Sequence, residues 1–228
     1  MTEALTEIFR QSRAVLLDFD GPVCSVFAGL PAPVVATRLK QLLQDEGAEL
    51  PEDVAELDDP LKVLRRTADF APGLVDKVET AFMAYEVEAA SCAKITPGAR
   101  ELLEACVETG RSVVIVSNNS EPAIETFLGL ANLRERVAGV MGRPIGNPAE
   151  MKPHPGSVLR ACEMVDVPPG EAVLIGDSDF DMQAAANAGT RSIAYANERG
   201  KEVSLAQAGA DAVTMSMQEL AKAIRTSW

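Results

Sequence analysis

Two aspartates separated by one residue close the first apolar run of the chain. Ala14, Val15, Leu16 and Leu17 lead straight into Asp18-Phe19-Asp20-Gly21-Pro22. Carboxylates this close repel each other unless a cation or a shared proton lies between them. The pair therefore reads as a metal site or an acid/base pair, against the plainer reading of a solvated Asp-Gly turn. Two more apolar runs stop in the same way: 113–116 in Ser117-Asn118-Asn119-Ser120, and 172–175 in Gly176-Asp177-Ser178-Asp179-Phe180-Asp181. Lys152 lies in a proline-rich loop ahead of a helical stretch and can reach the same place. A hydroxyl, an ammonium and several carboxylates fit phosphoryl transfer, where catalysis is mostly positioning and charge neutralisation. Asp18 and Asp177 are hard oxygen donors suited to Mg²⁺. Such an ion relieves the repulsion among the acids and polarises a phosphate oxygen. Ser117 and Lys152 would hold phosphoryl oxygens. One aspartate of the pair would attack, forming an aspartyl-phosphate. The other would protonate the leaving oxygen and then activate water.

These residues can meet only if the runs that carry them are neighbouring strands. Short apolar runs bounded by turn residues read as buried strands. A strand covered on both faces belongs to a parallel sheet, whose ligands bind beyond the carboxyl ends of its strands. Helical patterns over 97–107, 121–130, 155–165 and 182–188 alternate with strands at 14–17, 113–116, 137–141, 172–175, 192–194 and 212–214. That alternation predicts an α/β fold with a parallel sheet. A leading helix is expected over 2–10 and a final one over 217–224. The stretch 23–93 differs, with helical stripes and no clear strand. Val34, Val35, Leu39, Leu42 and Leu43 make one stripe; Leu74, Val78, Phe82, Tyr85 and Ala89 make another. An all-helical insert of about seventy residues is within the size of a small domain.

The 228 residues are 47% hydrophobic, enough for a sizeable core, but only 4% aromatic, so aliphatic side chains must fill it. The net charge of −13 argues against nucleic-acid or anionic-membrane partners. Four scattered cysteines form no C-x-x-C pair, which fits free thiols in a reducing cytoplasm. The beginning of the sequence is charged and is not a signal peptide, and no apolar run is long enough to span a bilayer.

DFDGPV, VIVSNN, KPHP and GDSDFD, in this order, resemble the four motifs of the haloacid dehalogenase (HAD) superfamily. The helical insert resembles the α-helical cap of the subfamily that contains phosphoglycolate phosphatase and β-phosphoglucomutase. The resemblance implies a Rossmann-like core at 1–22 and 94–228 and a cap at 23–93. It implies Asp18 as nucleophile and metal ligand, with Asp20 as acid/base and its carbonyl on the metal. Ser117, Lys152 and Asn118 would bind phosphate, Asp177 would ligate Mg²⁺, and Asp181 would complete the acidic cluster. Asp179 reads equally as an exposed acid at a helix start. Asp20 points to phosphate esters, because the resemblance implies that true dehalogenases lack an acid there. Pro22-Val23 and Cys24-Ser25 depart from the family pattern and leave the substrate open.

The expected activity is Mg²⁺-dependent hydrolysis of a small phosphorylated, phosphoglycolate-like metabolite. The alternatives are a phosphomutase of β-phosphoglucomutase type and a non-catalytic phosphate-binding module. The oligomeric state is open. His154, the single histidine, reads as a loop residue at the cleft rim. Arg65 and Arg66 read first as a solvated helix face, and second as a clamp for a substrate carboxylate or second phosphate. Cys24 reads as a small buried hydrophobe. The 26–33 loop is expected near the substrate.

Overall fold

Strand β1 (Ala14–Leu17) is buried along its whole length in the middle of a six-stranded sheet, in a computed structural model describing residues 2–228. The next strands are a short antiparallel pair, β2 (Cys24–Ser25) and β3 (Lys94–Ile95). The large sheet continues with β4 (Ser112–Val116), β5 (Gly139–Met141), β6 (Ala172–Gly176), β7 (Arg191–Tyr195) and β8 (Ala212–Thr214). Its order is β5-β4-β1-β6-β7-β8, and every pairing is parallel. The chain runs outward from β1 through β4 to β5, then crosses back to β6 on the other side. The topological switch therefore falls at β1, where open α/β sheets form their ligand crevice. Leu17 lies beside both Ile115 and Ile175, so the three central strands end together.

Eleven α-helices accompany the strands among the described residues. They are α1 (Thr2–Arg10), α2 (Ala32–Asp45), α3 (Glu52–Ala55), α4 (Pro60–Phe70), α5 (Val75–Ser91), α6 (Ala99–Glu108), α7 (Glu121–Leu130), α8 (Gly156–Met164), α9 (Asp179–Ala188), α10 (Lys201–Gln207) and α11 (Met217–Thr226). The two sheet faces bury alternate residues of the same strand. Val15 and Leu17 pack with α1, α6, α7 and α11, whereas Ala14 and Leu16 pack with α8 and α9. This two-sided burial explains why β1 shows no polar alternation. Helices α2, α4 and α5 pack on one another, and their buried Leu39, Val63 and Phe82 join the cluster that contains Leu17 and Ile115.

The α/β architecture agrees with the sequence reading, with three local differences. The stretch 23–93 is not free of strand, because Cys24–Ser25 pairs with Lys94–Ile95 where the insert leaves and rejoins the sheet. Two-residue strands carry no periodicity to read. Helix α9 starts at Asp179 rather than 182, because a Ser178/Asp181 capping box begins it three residues earlier. Helix α10 was not expected; it follows Gly200 in the left-handed conformation (φ 96°).

Candidate active site

The three central strand ends open into a cleft of about 690 Å³. Asp18, Asp20, Ser117, Asn118, Asp177 and Asp181 line it with Lys152, and Asp59, Leu61, Lys62 and Arg65 line it from the inserted helices. Asp18 continues the β1 ladder, its N–H donating to the Ile175 carbonyl at 2.9 Å. Phe19 turns away into the core and meets Phe127 edge-on, 5.5 Å between ring centres. Gly21, at φ 101°, makes the turn that follows. A Cβ there would come within 2.6 Å of the Asp177 carboxyl carbon. Only a glycine lets the first turn pass so close to the third strand end.

Lys152 is the hub of the cleft. Its Nζ donates to Asp18 Oδ1 at 2.8 Å, to Asp181 Oδ1 at 2.5 Å and to the Val116 carbonyl at 2.8 Å. That uses all three ammonium donors. Burial works against the Lys152 charge, but the Asp18 and Asp181 carboxylates outweigh it and raise its pKa. The Asn118 side chain holds the Lys152 peptide from both sides, accepting from its N–H at 2.8 Å and donating to its carbonyl at 3.1 Å. The Ser117 hydroxyl donates to Asn119 Oδ1 and accepts from the Asn119 N–H, both at 3.2 Å.

Asp18, Asp177 and Asp181 each bring a carboxylate oxygen within 4.8 Å of the others. Asp18 Oδ2 and Asp177 Oδ1 take no hydrogen bond from any described residue. Three clustered carboxylates with two open, hard oxygens among them suit a small divalent cation. Asp181 is committed elsewhere: Oδ1 to Lys152, and Oδ2 to the Ser178 hydroxyl and N–H. Asp20 Oδ1 accepts from the Val26 N–H at 2.9 Å. Asp179 is exposed at the start of α9.

Crowding and burial shift the carboxyls. Burial first, then the Asp181 charge, pushes Asp18 up to about 7 against the pull of Lys152. Burial pushes Asp20 up to about 6, opposed by its bond from Val26 and helped by Asp18. Burial also pushes Asp177 up to about 6, opposed by Lys201. Such shifts, produced in a cleft by burial and specific neighbours, characterise functional acids.

The remaining sequence candidates fall on both sides of the cleft wall. His154 is exposed, accepts from the Gly156 N–H at 3.1 Å, and lines a neighbouring depression instead. The two adjacent arginines part company. Arg66 pairs with Asp53 and Asp69 at the surface. Arg65 faces the cleft, donates to the Lys152 carbonyl at 2.5 Å and stacks 5.0 Å from the Phe180 ring centre. Cys24 is buried, and burial raises its thiol pKa. Ser25, Phe27 and Ala28 line the cleft.

Besides Asp59 and Lys62 in the lining, other residues of this region escaped the sequence reading. Asn197 and Lys201 contact Asp177 Oδ2, at 2.7 and 3.3 Å. Glu86 and Arg143 are buried behind the Ser117 loop and bond to it. Glu86 did leave a signal. With Glu79, seven residues earlier, it interrupts the apolar stripe of α5 on either side of Phe82.

A parallel sheet whose strand order reverses at β1, with Asp18 after β1 and Asp181 of α9 joined by Lys152, marks an α/β-class protein with its polar cluster at the switch point. The chain belongs to the haloacid dehalogenase-like hydrolase family, whose profile matches residues 12–189. It is 28% identical over 229 residues to phosphoglycolate phosphatase of Nitrosospira multiformis, covering 94% of this chain and 96% of that one. It is 29% identical over 186 residues to the putative pyrophosphatase PpaX of Caldanaerobacter subterraneus, covering 79% and 80%. Among solved structures, CbbY of Rhodobacter sphaeroides in complex with phosphate superposes with a TM-score of 0.69 at 23% identity, covering 92% of this chain and 96% of that one.

Proposed function

We propose that the protein is a Mg²⁺-dependent phosphatase of small phosphorylated metabolites, phosphoglycolate-like in size and charge, working through an aspartyl-phosphate on Asp18. The observation that carries this reading is the Asp18–Lys152–Asp181 arrangement beside Asp177. The names of the phosphatase relatives and the phosphate bound to a structural neighbour support it.

Asp18 and Asp177 would hold the cation through their open oxygens, with the Asp20 carbonyl beside them. The cation, when bound, supplies charge neutralisation and polarises a phosphoryl oxygen. Lys152 holds the other Asp18 oxygen, Oδ1, in place to attack the incoming phosphorus. A phosphoryl oxygen arriving there takes one of the Lys152 donors and the Ser117 hydroxyl. Asp20, protonated more readily than an ordinary carboxyl, gives its proton to the leaving oxygen as the P–O bond breaks. It then takes a proton from the water that attacks the phosphoaspartate. Residues 23–93 would act as a cap that screens this chemistry from bulk water. Arg65 and Lys62 would meet a second anionic group of the substrate. The four free cysteines suit a reducing, cytoplasmic setting.

The test is turnover of p-nitrophenyl phosphate with Mg²⁺, followed by a panel containing 2-phosphoglycolate, pyrophosphate and a hexose 1-phosphate. Asp18→Asn is expected to abolish release of inorganic phosphate. Unchanged turnover in that variant removes Asp18 as the nucleophile.

A further inference from the structure

Behind the Ser117 loop lies a buried ionic cluster built from two parts of the chain. Arg143 Nε donates to Glu79 Oε1 at 2.5 Å, and its Nη1 donates to both Glu86 oxygens at 2.8 and 2.9 Å. The guanidinium also lies 4.5 Å from the Phe82 ring centre. Both partners of the Arg143–Glu86 pair have side chains with 0% exposure. An apolar contact between α5 and the segment after β5 would often stabilise a fold as well as such a pair, because desolvating buried charges offsets most of their attraction. The charges therefore need a reason other than stability.

Their bonds supply one. Glu86 accepts from Asn119 Nδ2 at 3.0 Å and from the Ser120 N–H at 3.3 Å, at the start of α7. Arg143 Nη1 donates to the Asn118 carbonyl at 3.1 Å, and the Arg143 N–H donates to the Asn119 carbonyl at 2.9 Å. Asn119 in turn holds the Ser117 hydroxyl, and Asn118 holds the Lys152 peptide. Gly142 makes the approach possible, since a Cβ there would come within 2.6 Å of the Glu121 nitrogen.

We infer that Glu86 and Arg143 are positioning residues for phosphate binding: helix α5 of the insert, through its carboxylate, fixes the loop that presents Ser117 and steadies Lys152. This rests on the reading of Ser117 and Lys152 as phosphate ligands.

The test compares wild type, Glu86→Gln and Asn119→Ala. Glu86→Gln keeps the side-chain volume and an acceptor for Asn119 but removes the charge that holds Arg143. Asn119→Ala removes the side-chain bonds to Glu86 and to the Ser117 hydroxyl while leaving the Arg143–Glu86 pair in place, and serves if the first variant does not fold. Inorganic phosphate is titrated calorimetrically in the presence of Mg²⁺, and KM and kcat are measured with p-nitrophenyl phosphate. The phosphate Kd and KM are expected to rise together by about 10-fold or more in each folded variant, with a smaller change in kcat. Kd and KM within twofold of wild type overturn the inference, including when kcat or thermal stability falls, since a purely structural role reduces the amount of active protein and not its affinity. Wild type that binds no phosphate removes the phosphate site itself and this inference with it. Phosphate binding that survives in wild type and Asp18→Asn, but is unmoved in both loop variants, removes only the inference.

Discussion

The Asn118 amide brackets the Lys152 peptide, with its oxygen on the N–H at 2.8 Å and its nitrogen on the carbonyl at 3.1 Å. Strand β4 thereby fixes where the lysine backbone enters the cleft, and its Nζ reaches Asp18 from 134 residues away in sequence. Asn118→Ala should leave the ammonium charge in place but free its stem. A misplacement of about 1 Å can cost roughly 100-fold. We expect kcat/KM with an aryl phosphate to fall by about 10- to 100-fold, read against an unchanged circular-dichroism spectrum. Wild-type kinetics in Asn118→Ala would show that the bracket is not needed.

The acidic cluster predicts an unusual pH dependence of stability without metal. Asp18, Asp20 and Asp177 sit at about 7, 6 and 6 in the folded protein, against an ordinary value of 3.8. Between roughly pH 4 and 7 the folded chain therefore binds more protons than the unfolded one, and stability falls as pH rises through that window. With chelator present, the melting temperature should be higher at pH 5.5 than at pH 7.5. Asp18→Asn should flatten this slope, and added Mg²⁺ should raise the melting temperature more at pH 7.5 than at 5.5. A slope unaffected by Asp18→Asn would place its origin outside the cleft.

Gly21 is held at φ 101° against Asp177. Gly21→Ala meets both a backbone conformation that side chains avoid, costing about 1–3 kcal/mol, and the Asp177 carboxyl. Loss of stability by that amount is expected in thermal melts. Mg²⁺ affinity and activity should each drop at least about 10-fold, because Asp177 must move. A variant that is less stable yet fully active would separate the turn from the metal site.

Arg65, on α4, reaches the Lys152 carbonyl and the Phe180 ring. If it meets a second anionic group, Arg65→Ala should lower kcat/KM for 2-phosphoglycolate more than for p-nitrophenyl phosphate. A hydrogen bond to a charged group contributes about 1.5–3 kcal/mol, which is roughly 10- to 100-fold in selectivity. Equal losses on both substrates would confine Arg65 to holding the cleft closed.

The strand ends carried most of what could be read from the chain. An apolar run that stops at Asp18, Ser117 or Asp177 announces both a buried parallel strand and the group at its carboxyl end, because burial on both faces and the ligand crevice are properties of the same sheet. Helix α1 and strand β1 coincide with the expected 2–10 and 14–17 for the same reason, being fixed by local pattern. Tertiary structure alone decided which side chains meet across the chain. Arg65 and Arg66 are neighbours of identical chemistry, and only packing turns one into the cleft and the other to Asp53 and Asp69. Glu86 and Arg143 lie 57 residues apart, and a buried charge pair leaves no periodic trace of its partner. Periodicity records which face of an element is apolar; it carries no information about which distant polar group satisfies a polar one on that face.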